Sequence, residues 1–264
     1  MNRVPIYQVD AFASALYTGN PAAVCLLPEW LNDELMQKIA AENNLSETAF
    51  VVPGDESYQI RWFTPKKEVD LCGHATLASA FVLFEIQGYP HHTLHFTSRS
   101  GLLHVQRNQN ILCMDFPALP YSPRAADTAL INAIGAEPEE VYQSTFDVLC
   151  IMKSASQVKD AQVDLNQISR LPYRGLILSA IMDDTTTVYS RCFYPAYDVP
   201  EDPVTGSAHC VIAPYWSKRL NKKRIHAKQG GLRQGELWCE VRQDRVFLSG
   251  DCQLYMKGEI FFKP

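Results

Sequence analysis

Hydrophobic and polar positions along this chain switch repeatedly between two periods. Alternation or short apolar runs in "VPIYQVDAF", "AAVCLLP", "TAFVVP" and "YQIRWFTP" predict strands. Between the second and third of these, "NDELMQKIAAEN" repeats its apolar positions at helical spacing and predicts an amphipathic helix capped by Asn32 or Asp33. A second helix is expected from about His74 to Gly88, followed by three strands at "TLHFTS", "GLLHVQR" and "ILCMDFP". The proline-rich run "PALPYSPRAAD" then breaks the pattern. It predicts a connector at 119–127 between an N-terminal lobe, 1–118, and a C-terminal lobe, 128–252, with a strand at about 253–264 completing the first lobe.

The second half repeats the order of the first. Arg61-Trp62-Phe63-Thr64-Pro65 has a partner in Arg191-Cys192-Phe193-Tyr194-Pro195, and Gly101-Leu102 has one in Gly231-Leu232, both at an offset of 130. Between these landmarks lie two glycine turns that each open an apolar helix, "CGHATLASAFVLF" and "TGSAHCVIAPYW". A period near half the chain predicts an internal duplication, two similar lobes of mixed strands around a helix. Equivalent loops of such lobes are expected to face each other across a cleft, where ligands favour binding.

Composition narrows the function classes. Hydrophobic residues make up 47% of 264 positions and charged ones 20%, with a net charge of −5, which fits a globular protein and offers no basic face for nucleic acid. The N-terminal stretch has no apolar leader core, and no run approaches a membrane span, so a cytoplasmic protein is expected. Eight cysteines are scattered without a CxxC pair, as free thiols in a reducing compartment would be.

The glycine turns carry the candidate chemistry. A helix start leaves backbone N–H groups without internal partners and adds partial positive charge. Gly73-His74-Ala75 and Gly206-Ser207-Ala208 are therefore both candidate seats for an anion, and two of them suggest a small carboxylate ligand. Neither turn has the glycine spacing and following lysine of a phosphate loop, nor the G-x-S-x-G frame of a hydrolase elbow. Cys72 beside a helix start is a plausible thiol. Offsets of 130 to 133 map it onto Asp202, Pro203, Val204 or Thr205, none a cysteine, so two-thiol chemistry is disfavoured. One close Cys–His pair supplies too few ligands for a metal, and none is expected. Carboxylates are the better proton carriers, Asp202 in "EDPVTGS" and Glu47 in "NLSETAF". The residues alone do not choose Glu47 over Glu42 or Asp70.

In chain order, "VDAF", "GNPAAV", "NLSETAF", "RWFTP", "DLCGHATLA", "DPVTGSAH" and "QG" resemble the PhzF family of phenazine-biosynthesis-like isomerases, over essentially the whole chain. The resemblance implies an α+β fold similar to diaminopimelate epimerase. It has two pseudo-symmetric lobes, each a curved mixed sheet or barrel around a central helix, with the active site in the cleft between them. By the same resemblance Glu47 is the catalytic acid/base, moving a proton between carbons of a small carboxylate without a cofactor. His74 and Asp202 would hold and orient the substrate, and Gly73, Gly206 and Ser207 would bind its carboxylate. Asn20 would line the same cleft. A homodimer acting on a small molecule, with neither nucleic acid nor membrane as partner, is the matching expectation. The sequence departs from diaminopimelate epimerase and proline racemase where the second cysteine reads Pro203, which favours a single carboxylate shuttle. An epimerase or racemase using Cys72 with a non-thiol partner stays open, as does a non-catalytic metabolite-binding protein on the same scaffold.

Overall fold

The computed structural model describes residues 1–182 and 184–263. The chain divides into two compact units, Met1–Asp115 together with the segment from Ser249 onward, and Phe116–Leu248.

In the first unit β1 (Asn2–Ala11) pairs antiparallel with β2 (Asn20–Leu26) on one side and along its whole length with the C-terminal strand Cys252–Phe262 on the other. The chain then runs through α1 (Asp33–Asn43) into β3 (Glu47–Pro53), which lies parallel to β2. A parallel partner requires a crossover, and α1 supplies it. The Asn32 side chain caps α1 by accepting from the Leu35 N–H at 2.8 Å, and Asn44 ends the helix in the left-handed region. That abrupt stop delivers Glu47 to the first position of β3, opposite Ala22. Next come β4 (Tyr58–Phe63), β5 (Glu68–Val69), α2 (Gly73–Phe81), β6 (Thr93–Ser98), β7 (Gly101–Asn108) and β8 (Ile111–Pro117).

Alternation along β2, β3 and β4 sorts their side chains into two sets. Ala23, Cys25, Phe50, Val52 and Phe63 pack with Met36 and Ala40 of α1. The other set, with Ala22, Val24, Ala49 and Trp62, shares its face with Glu47. Helix α2 packs on β1, β2 and β3 and is buried at every residue from His74 to Ala80, its Thr76 and Ser79 hydroxyls satisfied by donating to the Cys72 and Ala75 carbonyls. The helix expected from His74 to Gly88 continues past Phe81 as a π-helical stretch, Val82–Ile86, and closes at Gly88 with φ +69°.

The second unit opens with β9 (Tyr121–Arg124), which pairs antiparallel with β10 (Glu140–Ser144). The connector expected at 119–127 is therefore part of a sheet, and the unit boundaries fall at Asp115/Phe116 and Leu248/Ser249 rather than at 118, 128 and 252. The prolines of this run suggested a linker, but Pro123 stands opposite Tyr142 in a short strand, a place where proline is tolerated. The unit continues with α3 (Thr128–Ile134), β11 (Asp147–Ile151), α4 (Ala155–Asp160), α5 (Leu165–Ile168), β12 (Gly175–Ile181), β13 (Thr187–Tyr194), β14 (Val199–Asp202), α6 (Gly206–Leu220), β15 (Arg224–Gln229), β16 (Gly235–Arg242) and β17 (Arg245–Gly250). Strands β11 and β12 are parallel, as are β13 and β15. Helix α6 packs on β11, β15 and β16.

One arrangement recurs in both units. Arg61 forks onto Glu68 with two contacts of 2.7 Å, and Arg191 onto Glu201 with two of 2.8 Å. Each guanidinium also lies over a phenylalanine two residues on, Phe63 at 5.2 Å and Phe193 at 5.0 Å. Bidentate pairs of this kind fix direction as well as distance. Each glutamate stands in the short strand that leads into a glycine turn, so the pair sets where α2 and α6 begin.

Candidate active site

In the first unit the chemistry-bearing residues converge on His74. The ring is 5% exposed, and burial pushes its pKa down to about 3, so it is neutral at physiological pH. Its Nδ1 lies 3.3 Å from the Asn20 amide nitrogen and 3.5 Å from Cys72 Sγ. An amide nitrogen only donates, so Nδ1 must be the acceptor and the ring proton must sit on Nε2. Nε2 lies 3.3 Å from Glu47 Oε2. Asn20 is held in turn by Ser46, whose hydroxyl donates to Oδ1 at 3.5 Å. The result is a directed chain, Ser46 to Asn20 to His74, that leaves the ring Nε2 3.3 Å from Glu47 Oε2, close but outside hydrogen-bond geometry.

Backbone geometry explains why Asn20 can reach this position. Gly19 has φ +71°, and a Cβ there would stand 2.3 Å from the Ala11 carbonyl oxygen. Only glycine lets the chain turn so tightly into β2.

Asn20, expected to line the cleft, is fully buried with its amide on His74, which gives it the part of orienting the ring. Cys72, left open from sequence as a thiol with a non-thiol partner, sits in the cluster itself. With the ring proton on Nε2, Nδ1 accepts and the Cys72 thiol is the donor of that contact. One donor atom each from Glu47, Cys72 and His74 come within 4.8 Å of one another, three ligands of the kinds a zinc ion takes. The tautomer assigned above leaves the Nδ1 lone pair engaged and Nε2 protonated, an arrangement matched to proton handling.

In the second unit Asp202 ends β14, and its Oδ2 accepts from the Thr205 hydroxyl at 2.6 Å. Gln229, fully buried, clamps the same loop. Its amide donates to the Asp202 carbonyl at 2.8 Å and to Thr205 Oγ1 at 2.9 Å, while its oxygen accepts from the Thr205 N–H at 3.0 Å. Gly230 follows with φ +106°, where a Cβ would meet the Arg233 oxygen at 2.1 Å and the Pro203 oxygen at 2.9 Å. Ser207, in the first turn of α6, accepts from Arg174 Nη2 at 2.9 Å.

The helix starts differ in a telling way. Side chains cap α1, α3, α4 and α5 through Asn32, Asp127, Ser154 and Asp164. Neither α2 nor α6 has a side-chain cap. Their N-cap residues are Cys72 and Thr205, so the residue of the second unit that stands where Cys72 stands is Thr205, two places beyond the Pro203 inferred from sequence. Its hydroxyl is turned to Asp202 rather than to the helix. The N–H groups of Gly73, His74 and Ala75, and of Gly206, Ser207 and Ala208, consequently have no acceptor among the described residues.

The sequence reading missed Ser46, Thr205, Arg174 and Asp147. Ser46 and Thr205 lie inside the quoted motifs and were within reach. Arg174 and Asp147 sit in "PYRG" and "TFDVL", with no local pattern to mark them.

The family model described as phenazine biosynthesis-like protein matches residues 9–258. The chain belongs to the phenazine biosynthesis-like, or PhzF, family. A protein named an uncharacterized isomerase in Pseudomonas aeruginosa is 48% identical over 98% of each chain. A PhzF family crystal structure from Enterococcus faecalis superposes with a TM-score of 0.95 at 43% identity, covering 99% of this chain and 100% of that one. The fold extends to a probable proline racemase of Agrobacterium radiobacter, with a TM-score of 0.64 at 9% identity over 99% of this chain and 94% of the other. The fold is thus α+β and of the diaminopimelate-epimerase and proline-racemase type. Among the described residues no helix is long and apolar enough to cross a membrane.

Proposed function

We propose that this PhzF family member is an isomerase that needs no cofactor, in which Glu47 takes a proton from one carbon of a small carboxylate and returns it to another. The observation that carries this reading is the part-buried Glu47 carboxylate standing 3.3 Å from a neutral His74 whose ring is oriented by Asn20. A neutral His74 of the Nε2–H tautomer holds its N–H 3.3 Å from the carboxylate. A donor this near can close onto the carboxylate as Glu47 passes between its protonated and ionised forms, without neutralising it. The Glu47 side chain is 16% exposed, buried enough to be shielded yet open to a ligand.

Carboxylate binding is assigned to the free N–H groups at the start of α2, at Gly73 and His74, and separately to those at the start of α6, at Gly206 and Ser207, with Asp202 orienting the substrate. Such uncapped helix starts suit an anion. A substrate carboxylate held in this way withdraws charge from its α-carbon, which eases removal of a proton there. All eight cysteines are free, in keeping with a cytoplasmic enzyme, and the exposed Leu254, Tyr255 and Met256 of the C-terminal strand are in keeping with a homodimer.

A second reading has one observation in its favour. Cys72 lies in the Glu47 cluster, so an epimerase could use its thiol on one face and a carboxylate on the other. Solvent-deuterium incorporation separates the readings. Cyclic and amino-acid carboxylates are incubated with enzyme in D2O and followed by NMR. Glu47→Gln should abolish incorporation into the accepted substrate while Cys72→Ala keeps most of it. Full exchange by Glu47→Gln refutes the carboxylate shuttle, and loss confined to Cys72→Ala favours the thiol. A metabolite-binding protein would bind such a ligand with no exchange by the wild type.

A further inference from the structure

We propose that Arg174 is a positioning residue that makes Ser207 an obligate hydrogen-bond donor, so that the atom bound there must be an acceptor, as a carboxylate oxygen is. The inference rests on the reading of Ser207 as a carboxylate ligand and adds what enforces that choice.

A serine hydroxyl ordinarily serves as donor or acceptor and rotates to suit its partner. Ser207 lacks that freedom. Arg174 Nη2 lies 2.9 Å from its Oγ, and a guanidinium has no acceptor, so Oγ must accept. The serine's own hydrogen then points elsewhere, and no acceptor among the described residues takes it. A charged donor also draws electron density from the hydroxyl, which strengthens the bond it gives.

Arg174 itself is fixed by elements outside α6. Its Nε donates to Asp147 Oδ1 at 2.9 Å and its Nη2 to Oδ2 at 2.5 Å, and the Asp147 side chain is fully buried at the start of β11. The rings of Phe146 and Tyr194 lie 5.1 and 5.3 Å from the guanidinium carbon. Ser144 Oγ accepts from the Asp147 N–H at 3.1 Å and ties down the backbone. Burying a carboxylate under an arginine yields little net stability, because desolvation offsets most of the attraction. A cation is also electrostatically misplaced beside a helix N-terminus. The arrangement gains a purpose when Arg174 sets the direction of one hydroxyl.

The test uses the full-length 15N-labelled protein titrated with malonate and with its uncharged diamide, malonamide, following the amides of Gly206, Ser207 and Ala208. Wild type is expected to bind malonate with shifts at these amides and to ignore malonamide. Arg174→Gln should weaken malonate binding roughly tenfold, the loss expected of one charge-assisted contact. In a Ser207→Ala background the same change should cost less than about twofold, because Arg174 acts through the hydroxyl. Arg174→Gln leaves Asp147 buried without its partner, so Arg174→Gln combined with Asp147→Asn provides a neutral pair that should fold and show the same loss. Arg174→Lys keeps the charge but not the fork, and should recover little. An undiminished tenfold loss in the Ser207→Ala background, full rescue by lysine, or no malonate shift at these amides in the wild type would each overturn the proposal. Failure of the isomerase reading is distinguishable, since it leaves malonate selectivity intact while deuterium exchange is absent.

Discussion

Replacing Asn20 by aspartate keeps the shape of the side chain and removes its only donor. The oxygen that then faces His74 Nδ1 from 3.3 Å can only accept, so the ring must bring a proton to Nδ1. Two protonation states satisfy that demand. A neutral ring can move its proton from Nε2, or the ring can take a second proton. The second route requires the His74 pKa to climb from about 3 to above 7, a rise of ~4 units or about 5 kcal/mol. A carboxylate at that distance supplies about 5 kcal/mol at an effective dielectric of about 20. The two states are therefore near balance, and both place a proton on Nδ1, where the wild type has none. Long-range 1H–15N NMR of the ring nitrogens reads this directly. The neutral state also turns a lone pair toward Glu47, so a proton-transfer rate should fall by tenfold or more, about 1.4 kcal/mol of barrier. A wild-type ring protonated on Nδ1, or an Asn20→Asp ring that keeps its only proton on Nε2, would refute the reasoning.

Stability should depend on pH through the two buried histidines. His74 and His209 have folded pKa values lowered to about 3 and about 4 from an ordinary 6.5, so the unfolded chain binds more protons in that window. Their contribution is complete above pH 6.5 and is lost as pH falls toward 3, on the order of several kcal/mol. Urea midpoints that stay flat down to pH 4 would contradict this. Dialysis against EDTA should leave deuterium exchange unchanged, and loss restored by zinc would instead make Glu47, Cys72 and His74 a metal centre. Gln229→Ala strands the buried Thr205 N–H and should cost about 1–3 kcal/mol in urea unfolding, with the Asp202 loop losing amide protection first. Unchanged unfolding would remove Gln229 from its place as the clamp of that loop.

Much of the fold was legible because local signals and tertiary demands agree in this chain. Asn32 reads as a cap and is one, and the mostly apolar run after Gly73 reads as a buried helix and becomes α2. The glycine turns were legible because a cap-poor helix start is a property of sequence. What failed has physical causes. Pro120 and Pro123 look like linker residues, yet Pro123 stands opposite Tyr142 in a short strand that tolerates it. Insertions blur an offset and left the mate of Cys72 anywhere from Asp202 to Thr205, and the N-cap position assigns it to Thr205 rather than to the Pro203 of the family comparison. The motif of Asn20 could not show that its amide meets the His74 ring. Arg174 was invisible, since its partners Asp147 and Ser207 lie 27 and 33 residues away.

The missing caps on α2 and α6 have a thermodynamic consequence. A side-chain cap contributes about 1 kcal/mol to a helix, and these two helices forgo it while the other four α-helices take it. An anion seated on either set of amides then acts as part of the fold as well as a ligand. Binding to the native state alone raises stability by an amount that grows with the logarithm of concentration. Melting temperature thus becomes an assay for an enzyme whose substrate has no name. A panel of small carboxylates ranked by the heating each allows, in wild type and Glu47→Gln alike, would sort true ligands from bystanders before any turnover is seen.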